Sequence, residues 1–418
     1  MAQSSFIQAN QGVLFAESVS LEAIAKQFGT PTYVYSKNTL IQTFESFKKG
    51  LLKTDHLICF AVKANSNIAI LNLFANLGAG FDIVSGGELE RVLYAGGDPQ
   101  KIVFSGVGKT ASEIEAALKA NILCFNVESR SELIRIEEVA KKINLKAPIS
   151  IRVNPDVDAK THPYISTGLK DNKFGVDFNQ ALALYLEAKS MGHIEVKGID
   201  CHIGSQITEL KPFVDALDRV LSLVDQLKKN DIHLSHIDIG GGIGICYQDE
   251  SPPDFEIYTK EILNKVQNLN VKIIFEPGRA LVGNAGVLLS KVEYLKQNDV
   301  KHFAIIDAAM NDLMRPTLYD AYHEIKVVLE HDTKSQPFDV VGPVCESGDF
   351  IAKNRSLKLK ENDLVCIMSA GAYGMSMSSN YNSRGRAAEV MVDRDKVFKV
   401  RTREKTSDLF KLEKKIPL

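Results

Sequence analysis

The stretch Leu57-Ile58-Cys59-Phe60-Ala61-Val62-Lys63-Ala64-Asn65-Ser66-Asn67 runs six apolar residues straight into a lysine and then into a short polar turn. A continuous apolar run bounded by turn residues reads as a strand covered on both faces. Lys63 then stands where the strand ends, at the rim of a buried structure. An amine there loses part of its hydration, which lowers its pKa and brings a neutral, nucleophilic form within reach. A lysine that merely extends into water from a strand end gives the same local pattern. The rest of the chain has to separate the two.

The alternation continues outward from this stretch. Strand-like runs recur at 57–62, 80–84, 101–105, 123–127, 149–154, 196–203, 233–239 and 271–276, with helix-like segments between them. The clearest helix covers 210–229, where Leu210, Phe213, Val214, Leu217, Val220, Leu221, Val224 and Leu227 keep the i, i+3, i+4, i+7 spacing of one buried face. Eight strand–helix repeats are the count of a (β/α)8 TIM barrel; an open doubly wound sheet shares the alternation. A barrel gathers its chemistry at the C-terminal ends of its strands. Lys63, Ser85, Arg152, Asn154, His202, Gly240–Gly242 and Glu276–Arg279 all fall there, which favours the barrel.

Beyond residue 285 strands follow with few helices, at 286–295, 302–307, 324–329, 338–341, 364–368, 388–392 and 397–401. This is the pattern of a second, mostly antiparallel β domain. An early strand at 33–35, after a short helical pattern of Leu21, Ile24, Ala25 and Phe28, is placed to join it. The expected division is a barrel over 37–284 and a β domain made of 1–36 plus 285–418.

Hydrophobic residues make up 45% of the 418 and charged residues 24%, which suits a soluble protein with a large core. A net charge of -2 gives no electrostatic ground for binding nucleic acid or an anionic membrane. The six cysteines (59, 124, 201, 246, 345 and 366) lack paired spacing for zinc or disulfides. Most lie in apolar stretches and read as core residues of a reducing compartment. With neither a signal-like N-terminus nor a membrane-length apolar run, the expected location is cytoplasmic, with no metal.

Gly106-Val107-Gly108-Lys109-Thr110 imitates a phosphate-binding P-loop, but the glycine that pattern requires five positions before Gly108 is Val103, so a nucleoside-triphosphate reading is rejected. Asp238-Ile239-Gly240-Gly241-Gly242-Ile243-Gly244 ends the seventh strand, and loops after barrel strands seven and eight are a recurring phosphate site. A tight turn is the plainer reading of the glycines alone. Glu276-Pro277-Gly278-Arg279 ends the eighth strand; its carboxylate could keep a pyridine nitrogen protonated or simply pair with the arginine. Cys201-His202-Ile203-Gly204-Ser205 offers an imidazole to stack on a flat ring and a hydroxyl for a phosphate. A lone histidine is otherwise usually structural. Together the four strand ends fit pyridoxal 5′-phosphate (PLP) held as a Schiff base.

The chain resembles the diaminopimelate decarboxylases, of the alanine-racemase-like, fold-type III group of PLP-dependent enzymes. The matching motifs are Ala61–Asn65, His202–Gln206, Gly240–Gly242, Glu276–Arg279, Val341–Ser347 and Gly371–Gly374. Thr161–Gly168 and Ser378–Asn382 look specific to the diaminopimelate branch. Gly385 stands where the family pattern leads one to expect proline.

The resemblance implies that Lys63 carries the cofactor, Glu276 faces its ring nitrogen and His202 stacks on the ring. Ser205, Gly241, Gly242, Gly278 and Arg279 would surround the phosphate, with Pro277 and Tyr373 also at the cofactor. Arg279, Arg315, Tyr319, Glu346 and Tyr373 would contact substrate, and Cys345 would be the proton donor. It further implies a homodimer in which Cys345 and Glu346 reach the partner's cofactor. Arginines suit the distal carboxylate of diaminopimelate and a glutamate its distal ammonium. The acidic neighbours Glu346 and Asp349 are expected to keep the Cys345 thiol protonated.

Overall fold

The computed structural model describes residues 6–52, 54–158 and 173–417, so the 161–168 motif lies outside the described residues. The chain divides into two compact units, one of Thr43–Ile245 with Ser251–Leu281, the other of Met1–Gln42, Cys246–Glu250 and Val282–Leu418.

The first unit is a closed parallel barrel. Its strands are β1 (His56–Ala61), β2 (Gly80–Ile83), β3 (Ile102–Phe104), β4 (Cys124–Val127), β5 (Ala147–Asn154), β6 (Ile194–Asp200), β7 (His236–Asp238) and β8 (Lys272–Phe275). Each pairs with the next, and β8 closes on β1 with Phe275 opposite Ile58. The open-sheet alternative is thereby excluded. Most strands stop one to three residues short of the runs read from sequence. His202 and Glu276 consequently lie in the loops just past β6 and β8.

Side chains two apart on a strand share a face, and this alternation layers the barrel interior. Lower down, Leu57, Cys59, Val103, Cys124 and Ile274 form one apolar cluster. His236 Nε2 lies 2.7 Å from Ser150 Oγ and 3.7 Å from Cys124 Sγ in the same region. Two residues further along come Asp82, Ser105, Asn126, Arg152, Asp200, Asp238 and Glu276, all buried. The apolar run that signals a strand therefore changes into polar chemistry at the strand's last inward position.

The connecting helices begin on side-chain caps, such as Asn67 accepting from Ala69 N–H and the reciprocal Thr110/Glu113 pair. The helix Lys211–Lys229 buries Phe213, Ala216, Leu217, Val220, Leu223 and Leu227. Val214, Leu221 and Val224, assigned to that face from sequence, are half-buried. The Lys109 ammonium is buried and donates to Gly106 O, Asn126 O and Glu132 Oε1 at 2.6–2.9 Å, which makes it a structural charge. No described helix is long and apolar enough to cross a membrane.

The second unit is built on a sheet running, in spatial order, Phe350–Leu357, Gln336–Val341, His302–Ile306, Gly286–Gln297, Thr32–Ser36, Ala388–Asp393 and Lys396–Arg401. Most pairings are antiparallel, and Thr32–Ser36 joins it as expected. The strand Phe350–Leu357 and the N-terminal meander Ile7–Asn10, Val13–Ala16 and Val19–Ser20 were not legible from sequence. The first is interrupted by Asn354 at φ 52°, whose N–H donates to Asp339 across a register shift, so its alternation breaks midway. Four cysteines are buried, whereas Cys246 and Cys345 are exposed.

Candidate active site

Lys63 sits in a single 3-10 turn, Val62–Ala64, directly after β1. Its half-buried ammonium meets the fully buried Asp82 at 2.8 Å. Asn65 and Asn67 build the turn that follows, with Asn67 N–H donating to Asn65 Oδ1. Glu88 accepts from Val84 N–H, and burial pushes its carboxyl up to about 7.

His202 Nδ1 accepts the Gly241 N–H at 3.2 Å. Desolvation, together with the positive charges of Arg152 and Lys63, holds His202 well below the usual imidazole range. The ring is therefore neutral, with its proton on Nε2. Ser205 Oγ accepts from Arg279 Nη2 at 3.0 Å. The glycine run lies flat against its neighbours. A Cβ on Gly241 would stand 2.0 Å from the Glu276 carbonyl oxygen, and one on Gly242, at φ +116°, would stand 2.5 Å from Gly204 O. The Gly240 N–H goes to Asp238 Oδ1 at 2.9 Å, and Glu276 N–H returns to Gly240 O at 2.8 Å. Pro277 O accepts the Ala61 N–H at 3.3 Å, tying the Glu276 loop to the end of the Lys63 strand.

Carboxylate oxygens of Asp200, Asp238 and Glu276 lie within 4.8 Å of one another, all buried. Burial and then repulsion from neighbouring carboxylates raise Asp200 and Glu276 well above the usual carboxylate range. Burial raises Asp238 to about 7 against the lowering effect of its hydrogen bonds with Gly240 N–H and Glu276, with repulsion from Asp82 adding to the rise. Arg152 bonds Glu128 at 2.8 Å and lies 3.9 Å from Asp200. Asp82 Oδ1, Asp200 Oδ1 and Asp238 Oδ2 are buried without a hydrogen-bond partner. This excess of acid suits a cationic ring nitrogen, and the flattened glycines beside Arg279 and Ser205 suit a phosphate. The residues present fit PLP.

Asp238 carries a pH signature. A carboxyl that keeps its proton to about pH 7 when folded, against 3.8 when unfolded, lends stability that is complete below 3.8 and lost as pH rises through 7. The cofactor-free protein is expected to lose Tm progressively between about pH 4 and 7. Asp238→Asn should flatten that window relative to the parent by roughly 2–4 kcal/mol. Thermal unfolding of both proteins across pH checks this; an unchanged slope in the variant sinks it.

In the β unit, Cys345, Glu346 and Ser347 form an exposed loop. Cys345 N–H donates to Asn382 Oδ1 at 2.8 Å, and the Tyr381 hydroxyl reaches Glu346 Oε2 at 3.5 Å. Asp349 accepts from Val344 and Met310 N–H, closing the loop from behind. The 378–382 motif thus supports the Cys345 loop through Asn382 and Tyr381. Tyr373 adopts φ 56°, a left-handed conformation costing a non-glycine residue roughly 1–2 kcal/mol. Arg315 is buried and Tyr319 half-buried at the two ends of the helix Arg315–Tyr319. Gly385 is pressed against Glu404, where a Cβ would lie 2.6 Å from the carbonyl oxygen, so the loop is tightly held at the expected proline position.

Sequence reasoning missed Asp82, Asn126, Glu128, Asp200 and Asp238 as members of the site. The signal was a single polar residue inside an otherwise apolar strand, as in Phe81-Asp82-Ile83 and Ile237-Asp238-Ile239.

A lysine, a neutral imidazole, a glycine cradle and a buried acid at one barrel rim define a pyridoxal-dependent enzyme. The model of the pyridoxal-binding domain of pyridoxal-dependent decarboxylases matches residues 37–283. Diaminopimelate decarboxylase of Vibrio cholerae is 56% identical over 407 residues, covering 97% of this chain and 98% of that one. The crystal structure of the Helicobacter pylori diaminopimelate decarboxylase with L-lysine matches at 47% identity and a TM-score of 0.91, over 94% and 98% of the two chains. That from M. jannaschii with L-lysine matches at 38% and 0.94, over 100% and 99%. The chain belongs to the diaminopimelate decarboxylase family, and its cofactor is PLP.

Proposed function

We propose that the protein decarboxylates meso-2,6-diaminopimelate to L-lysine and carbon dioxide, the last step of lysine biosynthesis. The observation that carries this is the grouping of Lys63, His202, Glu276 and the Gly240–Gly242 cradle at one end of the barrel, in a chain 56% identical to a diaminopimelate decarboxylase. PLP supplies the electron sink that stabilises the charge left when carbon dioxide departs. Lys63 would hold the cofactor and supply the amine that releases product. The acid cluster around Glu276 would favour a protonated ring nitrogen. His202, uncharged, would pack against the ring without competing for that proton. Arg279, Ser205, Gly242 and Gly278 take the phosphate; the Gly240 and Gly241 amides are already engaged with Asp238 and His202. Arg315, Tyr319, Glu346 and Tyr373 orient the distal amino-acid head, and Cys345 protonates the α-carbon. The reading includes a cytoplasmic homodimer.

The test is carbon dioxide release from meso-diaminopimelate, lysine and ornithine, with and without added PLP. Release from diaminopimelate should depend on PLP and exceed the other two by at least about a hundredfold. Equal or greater release from lysine or ornithine overturns the substrate assignment.

A further inference from the structure

Arg315 is 5% exposed, and its guanidinium is gripped from two directions within the β unit. Nη1 lies 2.8 Å from His323 Nε2, and the guanidinium carbon stands 4.5 Å from the centre of the Tyr247 ring. His323 is fully buried, and its Nδ1 lies 2.8 Å from the Met368 carbonyl oxygen. A carbonyl only accepts, so Nδ1 carries the proton and Nε2 presents its lone pair to Arg315. The imidazole is neutral and its tautomer is fixed from behind. The Tyr247 ring meets His323 edge-on, centroids 5.4 Å apart at 78°, and the Tyr247 N–H is held by Glu250 at 2.8 Å.

The Tyr247 ring restrains the guanidinium from one side, and the imidazole anchors one of its nitrogens. A fork held this way loses little side-chain freedom when it meets a carboxylate in bidentate fashion. None of this was visible in the sequence, where Tyr247, Arg315 and His323 belong to separate segments.

We propose that His323 and Tyr247 are positioning residues that set Arg315 for a ligand carboxylate, and through it select an α-amino-acid head over a plain amine. This rests on the reading above that Arg315 contacts the distal head of the substrate. L-lysine keeps that head, whereas cadaverine is the same chain without the carboxylate.

The experiment measures dissociation constants of the PLP-loaded protein for L-lysine and for cadaverine. His323→Leu is expected to weaken lysine binding roughly 10- to 100-fold, the size of a lost hydrogen bond to a charged group. Cadaverine should change by less than about threefold. His323→Gln, whose side-chain oxygen can accept in place of Nε2, should restore most of the lysine affinity. Tyr247→Leu should show the same selective loss, and it carries the test if His323→Leu does not fold. Equal weakening of both ligands would make the cluster merely structural and overturn the proposal, as would unchanged lysine binding in both variants. If the unaltered protein binds the two ligands equally, Arg315 reads no carboxylate, and the substrate reading falls together with the proposal.

Discussion

Lys63→Ala is expected to lower PLP-dependent carbon dioxide release by at least about a thousandfold, the scale of removing a covalent catalyst. The structure separates two effects that such a change combines. One is chemical: the amine at the rim is lost. The other is electrostatic: Asp82, fully buried and 2.8 Å from the Lys63 ammonium, is left beside Glu88 and the Asp200–Asp238–Glu276 cluster without its cation. Leaving the buried Asp82 carboxylate without its partner costs more than the half-exposed pair contributes, so the variant should also unfold at a lower temperature. Lys63→Arg keeps a positive charge near Asp82 but cannot form the covalent link. It should recover part of the thermal stability and none of the activity. Borohydride treatment of the unaltered protein should fix the cofactor onto the peptide carrying residue 63, and neither variant should be labelled there. Retention of more than about a tenth of the activity by Lys63→Ala would remove Lys63 from its assigned role.

The legible part of this site is the part that interrupts a pattern. Lys63 ends an apolar run, Gly240–Gly242 break a strand, and Glu276-Pro277-Gly278-Arg279 combines a charge with two backbone-restricting residues. Asp82, Asn126, Asp200 and Asp238 are buried at the same barrel end, yet each is one polar letter within a strand. Strand ends are imprecise from sequence, and whether such a letter faces the interior depends on a register that only barrel closure fixes. The β domain followed a similar rule. Strands with an uninterrupted apolar run, such as Val390-Met391-Val392 in Ala388–Asp393, were readable, whereas Phe350–Leu357, with Asn354 out of register, was not. Groupings from distant segments were invisible in principle. Asn382 beneath Cys345 and His323 beside Arg315 require the fold before any spacing can mean something.

Mixing Lys63→Ala and Cys345→Ala proteins, each nearly inactive alone, should restore about a quarter of the unaltered activity if the site is shared across a homodimer. The proposed roles divide between the two units of the chain, with Lys63, His202, Glu276 and Arg279 in the barrel and Cys345, Glu346, Arg315 and Tyr373 in the β unit. Cys345 is exposed on the chain, yet its backbone is fixed by Asn382 and its loop by Asp349. A proton donor works best where water is excluded; a rigidly held but uncovered thiol is what a second copy would complete. Random exchange in an equal mixture makes half the dimers mixed. A mixed dimer with shared sites has one site lacking both residues and one lacking neither, hence the quarter. If each site drew Lys63 and Cys345 from one chain, every site in the mixture would lack one of them. Activity would then stay at the level of the single variants, where loss of the acid alone costs roughly a hundredfold or more. Native mass spectrometry of the mixture confirms that exchange has occurred, and a mixed dimer with no recovered activity would show that the two halves of the chemistry come from the same chain.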